Sequence, residues 1–326
     1  MRILVTGSTG HLGEALMRTL AAQRRDASGL DLRPSPYTTH VGSIGDRALL
    51  RRALAGVDAV LHTATLHKPH VATHPREAFV ATNVAGTLAL LEESVAAGVR
   101  AFVCTSTTSV YGHAMAPPPE APAAWVDEDL VPQPRNIYGA TKLAAEQLCE
   151  LVARDEGLPC VVLRTGRFFP EDDDQAAVRD ARAEANQKLN ELLHRRADLA
   201  DGVDAHLRAL ERAPALRFAR YVVSATTPFA RADAAALRRD PAAVVRRCVP
   251  GFEREYARRG WSLPESIDRV YDNARARAAL DWSPRHDFAG AIARLRDGAD
   301  FRSELARAVG AKGYHERSFA QGPYPV

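Results

Sequence analysis

The chain has 326 residues, 46% of them hydrophobic and 25% charged, and a formal net charge of only +3. That is the composition of a soluble globular protein with volume for one large domain, or one large and one small. The small charge, with arginines scattered opposite acidic residues along helical stretches, argues against a nucleic-acid partner. No apolar run approaches the roughly 18 residues that cross a bilayer. Residues Met1–Thr6 enter a short strand with no signal-peptide pattern, so a cytoplasmic protein without a membrane partner is expected. Cys104, Cys149, Cys160 and Cys248 show no paired spacing and read as reduced thiols.

In chain order, β-rich runs at Arg2–Thr6, Ala59–His62, Ala101–Ser106 and Cys160–Arg164 alternate with helical patterns. The helical stretches are Leu12–Ala22, Arg47–Ala55, Asn83–Ala97 and Tyr138–Ala153. Such alternation predicts an α/β fold, a doubly wound parallel sheet covered by helices, and the near-continuously apolar strands fit burial on both faces. A dinucleotide-binding domain is expected over residues 1–165. Residues 166–326 are expected to form mainly a smaller C-terminal substrate domain, with Phe218–Ser224 returning to the main sheet. The second half opens on an acidic, Pro-containing loop, Phe168–Asp174.

The first strand runs into glycines spaced Gly7-x-x-Gly10-x-x-Gly13, with His11 and Leu12 opening a helix. Glycine amides at a helix N-terminus suit a pyrophosphate, and the strand-to-helix junction is the context that gives this spacing meaning. Asp31 stands at the end of the presumed second strand, where a carboxylate accepts ribose hydroxyls and repels a 2′-phosphate. That favours NAD over NADP, although Arg33 nearby suits a phosphate. Asp31 also reads as a turn residue before Pro34.

Tyr138 and Lys142, four residues apart, share a helix face. A neighbouring cation favours the phenolate, which suits tyrosine to acid/base work near neutral pH. The alternative is a surface tyrosine and a solvated lysine. The run Cys104–Gly112 ends an apolar strand in hydroxyls that can hold a reacting carbinol, or simply make local turns. His62, His67, His70 and His74 match no common zinc spacing, so no metal site is expected.

Together the glycine loop, His62-Thr63-Ala64, Asn83-Val84-Ala85-Gly86-Thr87, Thr107–Gly112 and Tyr138–Lys142 resemble the extended short-chain dehydrogenase/reductases, the NAD-dependent epimerase/dehydratase group. The resemblance is dense to about Arg164 and returns at Asp198–Asp201 and Leu280–Pro284. It implies a Rossmann sheet, NAD, a homodimer, Tyr138 as acid/base, Lys142 on the nicotinamide ribose and Thr107 as the catalytic hydroxyl. It also implies that Asn83 orders the site (its other reading is a helix N-cap), and that Ala64 and Thr65 lie under the cofactor. Ser43 and Ile44 stand where the family places an adenine-contacting Asp.

The resemblance bears on the reaction too. Related dehydratases carry an Asp-Glu pair after the catalytic hydroxyl, and related decarboxylases a Glu; here Thr108-Ser109 supplies no carboxylate. A UDP-sugar 4-epimerase is therefore the best match. Nucleotide-sugar members place an arginine where Glu191 stands. Arg195 and Arg196 either substitute for it or pair with acidic residues on a solvated surface, and Arg167, His67 and Thr108 complete the candidate substrate contacts. The alternatives are an NAD(P)-dependent dehydrogenase/reductase acting on a non-nucleotide hydroxy or keto substrate, and a non-catalytic NAD-sensing regulator. The tyrosine–lysine pair argues against the regulator.

Overall fold

The apolar runs of the first half become strands of one sheet. In the computed structural model, which describes residues 1–169 and 182–312, these are β1 (Ile3–Thr6), β2 (Ala27–Asp31), β3 (His40–Val41), β4 (Ala59–His62), β5 (Ala101–Thr107), β7 (Cys160–Thr165) and β10 (Phe218–Val223). Their order across the sheet is β10-β7-β5-β4-β1-β2-β3, and every pairing from β3 to β7 is parallel. The order reverses between β1 and β4, so the carboxyl ends of those two strands flank the crevice where such sheets take ligands. This is the doubly wound Rossmann arrangement that the sequence pattern implies.

Helices α1 (His11–Ala22), α2 (Arg47–Ala53), α3 (Arg76–Phe79), α4 (Thr87–Ala96) and α5 (Ile137–Asp155) link the strands. Leu4, Leu30, Val60, Phe102 and Val162 pack with Leu49 and Leu50 of α2, Leu90 of α4 and Val152 of α5. Their strand neighbours Ile3, Val5, Leu61, Val103 and Val161 point to the opposite face and are buried as well. Two-sided burial explains why these strands are apolar without alternation.

The helix expected to begin at Asn83 begins differently. A π-helical turn, Val80–Gly86, joins α3 to α4, and Asn83 lies inside it, so Asn83 is not an N-cap. An extra residue in a helical turn redirects one side chain, and such turns concentrate at functional sites.

Two compact units result. One holds Met1–Val110, Pro134–Thr165 and Val203–Tyr221; the other holds Tyr111–Gln133, Gly166–Gly202 and the chain from Val222 onward. In the second unit β6 (Ala124–Val126) pairs in parallel with β11 (Arg269–Tyr271), and β8 (Arg167–Phe168) with β9 (Arg196–Ala197). Helix α6 (Glu184–Leu192) precedes β9, and α7 begins at Leu199 and ends at Leu216. Buried Asp198 accepts from the Ala200 and Ser303 amides, and buried Asp201 from those of Arg285 and His286. The acidic run Glu171–Asp174 lies outside the described residues.

Candidate active site

Close packing dictates the glycines of the first loop. Gly7 has φ +74°, and a Cβ there would meet the Ala64 amide at 2.7 Å; a Cβ on Gly13 would fall 1.9 Å from the Gly7 carbonyl oxygen. The loop therefore folds closely on itself, a cradle that suits a pyrophosphate at the start of α1. His11 and Leu12 are buried in the first turn of that helix. Asp31 is fastened to the same loop: its carboxylate accepts from the Thr9 amide at 3.0 Å and the Arg33 amide at 3.1 Å. A carboxylate has about four lone-pair sites, so acceptor capacity remains for ribose hydroxyls. The Arg33 residue itself is exposed. These residues fit a dinucleotide.

Ser43 and Ile44, expected beside the adenine, lie in the turn between β3 and α2. Ser43 Oγ accepts from the Gly45 amide at 3.0 Å, and Ile44 is buried beside Gly86.

On α5, Asn136 caps the helix by accepting from the Gly139 amide at 3.0 Å, which sets Tyr138 and Lys142 in its first two turns. Both are buried, at 3% and 2% exposure, so the reading of a surface tyrosine and a solvated lysine does not hold. Tyr138 meets the His67 ring edge-on, with centroids 5.0 Å apart. Thr107 and Thr108 are buried at the end of β5, where Thr107 Oγ1 accepts from the Ser109 amide at 3.1 Å.

Asn83 joins these pieces. Its carboxamide oxygen accepts from the Leu66 amide (2.8 Å) and Thr65 Oγ1 (2.9 Å), while Nδ2 donates to the Leu66 carbonyl (3.0 Å) and Thr141 Oγ1 (3.1 Å). Thr141 stands between Tyr138 and Lys142 and donates back to the Ile137 carbonyl at 2.8 Å. The loop that carries Thr65 and the helix that carries the tyrosine and lysine are thus tied to one side chain. Ala64, half-buried, donates its amide to Thr6 Oγ1 at 3.3 Å.

Glu146 was not anticipated from the sequence. It lies one turn beyond Lys142 and is fully buried. It accepts from Ser106 Oγ at 2.5 Å and from the Arg164 guanidinium at 2.7 Å, which fixes α5 to β5 and β7. A carboxylate on the apolar face of a helix is the signal that marks it.

In the second unit Arg195 and Arg196 turn inward to Glu191. Arg196 donates Nε to that carboxylate at 2.7 Å and Nη1 to the Phe168 carbonyl at 2.7 Å, and Arg195 donates to Glu191 at 2.6 Å. Burial pushes the Glu191 carboxyl up, but Arg195, Arg196 and half-buried Arg167 outweigh it and hold it well below the usual carboxylate range. These arginines do pair with an acidic residue, but the Arg196–Glu191 pair is buried and not on a solvated surface.

Comparison with known proteins bears on this geometry. The model of the NAD dependent epimerase/dehydratase family matches residues 3–217. A UDP-glucose 4-epimerase of Rhizobium meliloti is 34% identical over 171 residues, 50% of each chain. An uncharacterized Sinorhizobium fredii protein, y4nG, is 34% identical over 171 residues, 49% of this chain and 39% of that protein. The chain spans about half the length or less of these curated relatives. Among solved structures, a short-chain dehydrogenase/reductase superfamily protein of Agrobacterium tumefaciens with bound NAD is 25% identical. It superposes with a TM-score of 0.62, covering 91% of this chain and 98% of that one.

Proposed function

Because this chain belongs to the NAD dependent epimerase/dehydratase family, we propose that it binds NAD and moves a hydride at a secondary alcohol or ketone, with Tyr138 as the acid/base. The observation that carries this is the burial of Tyr138 and Lys142 on one helix that Asn83 ties to the loop after β4. Glycine-loop amides would hold the pyrophosphate, and Asp31 would take the adenosine ribose. The Tyr138 phenolate oxygen takes the carbinol proton, the Lys142 ammonium stabilises that phenolate and holds the nicotinamide ribose, and Thr107 Oγ1 aligns the carbinol oxygen. When bound, NAD would supply the acceptor for the hydride of the carbinol carbon, and the hydride donor in the reverse direction.

For the substrate, our first reading is a UDP-sugar 4-epimerase, supported by the relatives' names and by the absence of a carboxylate at Thr108-Ser109. The Glu191 pairing favours a second reading. With Arg195 and Arg196 committed to a buried carboxylate, a diphosphate loses the guanidiniums that would hold it, so a non-nucleotide hydroxy or keto compound fits. Denaturing the purified protein and quantifying released nicotinamide separates the two. Near-stoichiometric NAD with interconversion of UDP-glucose and UDP-galactose supports the epimerase. An NAD-free protein that reduces added NAD with simple alcohols supports the dehydrogenase. Binding of NAD with no turnover across both classes overturns the hydride-transfer reading in favour of a sensing role.

A cytoplasmic homodimer is part of the same proposal. No helix among the described residues is long and apolar enough to cross a membrane. Val80, at the start of the π-helical turn, and Leu151 on α5 are large apolar residues 47% and 43% exposed, as a two-fold helical interface would require. A monomer by light scattering at micromolar concentration overturns the dimer.

A further inference from the structure

The parallel register of β1 and β4 sets Thr6 opposite His62, at the carboxyl ends of the two strands that flank the crevice. Both are fully buried. His62 Nδ1 lies 2.8 Å from Thr6 Oγ1 and Nε2 lies 3.0 Å from Thr87 Oγ1. The proton positions follow from the neighbours. Thr87 donates its only hydroxyl proton to the Asn83 carbonyl at 2.8 Å, so toward His62 it is an acceptor and Nε2 carries the hydrogen. Nδ1 of a neutral ring is then a lone pair, and the Thr6 hydroxyl donates to it. The same Thr6 oxygen accepts from the Ala64 amide at 3.3 Å. One run of bonds, all pointing one way, leads from the Ala64 amide through Thr6, His62 and Thr87 to the Asn83 carbonyl.

The two ends of this run matter. Thr6 is the last residue of β1, directly before Gly7 of the cofactor loop. The Asn83 side chain holds the 65–66 loop and, through Thr141, the helix of Tyr138 and Lys142. We infer that His62 is a positioning residue: as a neutral Nε2–H imidazole it couples the dinucleotide loop to the π-helical turn of Asn83, and through it to the helix of Tyr138 and Lys142. Burial, with the Lys142 charge, lowers the His62 pKa to about 3, so this hydrogen-bonding pattern persists across the working range. A protonated ring would need a second acceptor where Thr6 now donates. This inference rests on the reading of Tyr138 and Lys142 as the reacting pair.

Two measurements on the full chain test it without turnover. A nitrogen-15 spectrum should show His62 as the neutral Nε2–H tautomer from pH 5 to pH 9; an Nδ1–H tautomer or an imidazolium in that range overturns the proposal. The second probe is ADP, which reaches the glycine loop but lacks the nicotinamide ribose. In the wild type, ADP should slow amide exchange at residues 83–87 and 138–142 about tenfold or more, as expected of a local opening stabilised by a bound ligand. His62→Phe keeps a ring of similar size and removes both hydrogen bonds; it should bind ADP yet lose that protection. His62→Gln, whose amide can accept from Thr6 and donate to Thr87, should restore it. Equal protection in the wild type and in His62→Phe overturns the coupling. A protein that shows the coupling but turns over no carbinol overturns the proposed reaction instead.

Discussion

Asn83 binds both main-chain groups of Leu66, accepting from its amide at 2.8 Å and donating to its carbonyl at 3.0 Å. A carboxamide used this way stands in for a strand neighbour and holds an otherwise irregular loop. Asn83→Leu keeps the volume but strands the Leu66 amide, while the Leu66 carbonyl keeps Thr65 Oγ1 and Thr141 Oγ1 keeps the Ile137 carbonyl. The expected loss is about 1–3 kcal/mol of stability, read by denaturant unfolding, the cost of one buried polar group without a partner. Turnover should fall further than stability alone explains.

Tyr138→Phe removes one oxygen from a ring that remains packed against His67. Turnover should drop about 1000-fold, within the range for a lost general acid/base. NAD affinity, read by titration calorimetry, should stay within about threefold, because the glycine loop and Asp31 are untouched.

Gly13→Ala sets a methyl 1.9 Å from the Gly7 carbonyl oxygen, against rigid backbone. The loop must open, and NAD affinity should fall about tenfold or more, the equivalent of 1–3 kcal/mol of overpacking. Gly45→Ala, where the nearest atom is a serine hydroxyl at 3.4 Å, serves as the control and should leave binding unchanged.

Glu191→Gln keeps the shape but leaves Arg196, 1% exposed, without its buried counter-charge. Breaking one side of a buried pair costs about 3 kcal/mol or more, visible as a lowered Tm. If the diphosphate reading is right, the released guanidiniums should also tighten binding of UDP.

Acid should destabilise the fold well above the carboxylate range. Burial lowers the pKa of His62 to about 3, helped by the Lys142 charge, and that of His194 to about 3, helped by Arg195 and Arg269. The unfolded chain takes up protons near pH 6.5 that the folded chain refuses, so stability is present above that pH and is lost toward pH 3. Each group should cost about 2 kcal/mol between pH 7 and pH 5. His286 acts oppositely: burial lowers its pKa, but Asp201 and Asp198 outweigh burial and raise it, so its contribution grows as pH falls. Thermal unfolding at pH 7 and pH 5 should show the net loss, reduced in His62→Gln.

The sheet was legible in the sequence because strands buried on both faces are apolar throughout, and strand-to-helix rhythm survives in local composition. The glycine loop and the Tyr138–Lys142 spacing were legible because local geometry dictates both. Two things were not. The π-helical turn around Asn83 has no local signature, and the Leu66 backbone that the Asn83 side chain binds is distant in sequence. Glu146 depends on Ser106 and Arg164, which are far from it in sequence and adjacent only once β5 and β7 pair.

The register that sets Thr6 against His62 has a consequence for engineering. Side chains alternate across a strand, so sliding β4 by one residue would turn His62 to the far face and seat Leu61 beside Thr6. A glycine loop transplanted alone into another parallel sheet would arrive without its acceptor for the Thr6 hydroxyl. The smallest portable piece of this site is therefore larger than its motif: two adjacent strands in fixed register, the loop after each, and the widened turn that holds Asn83.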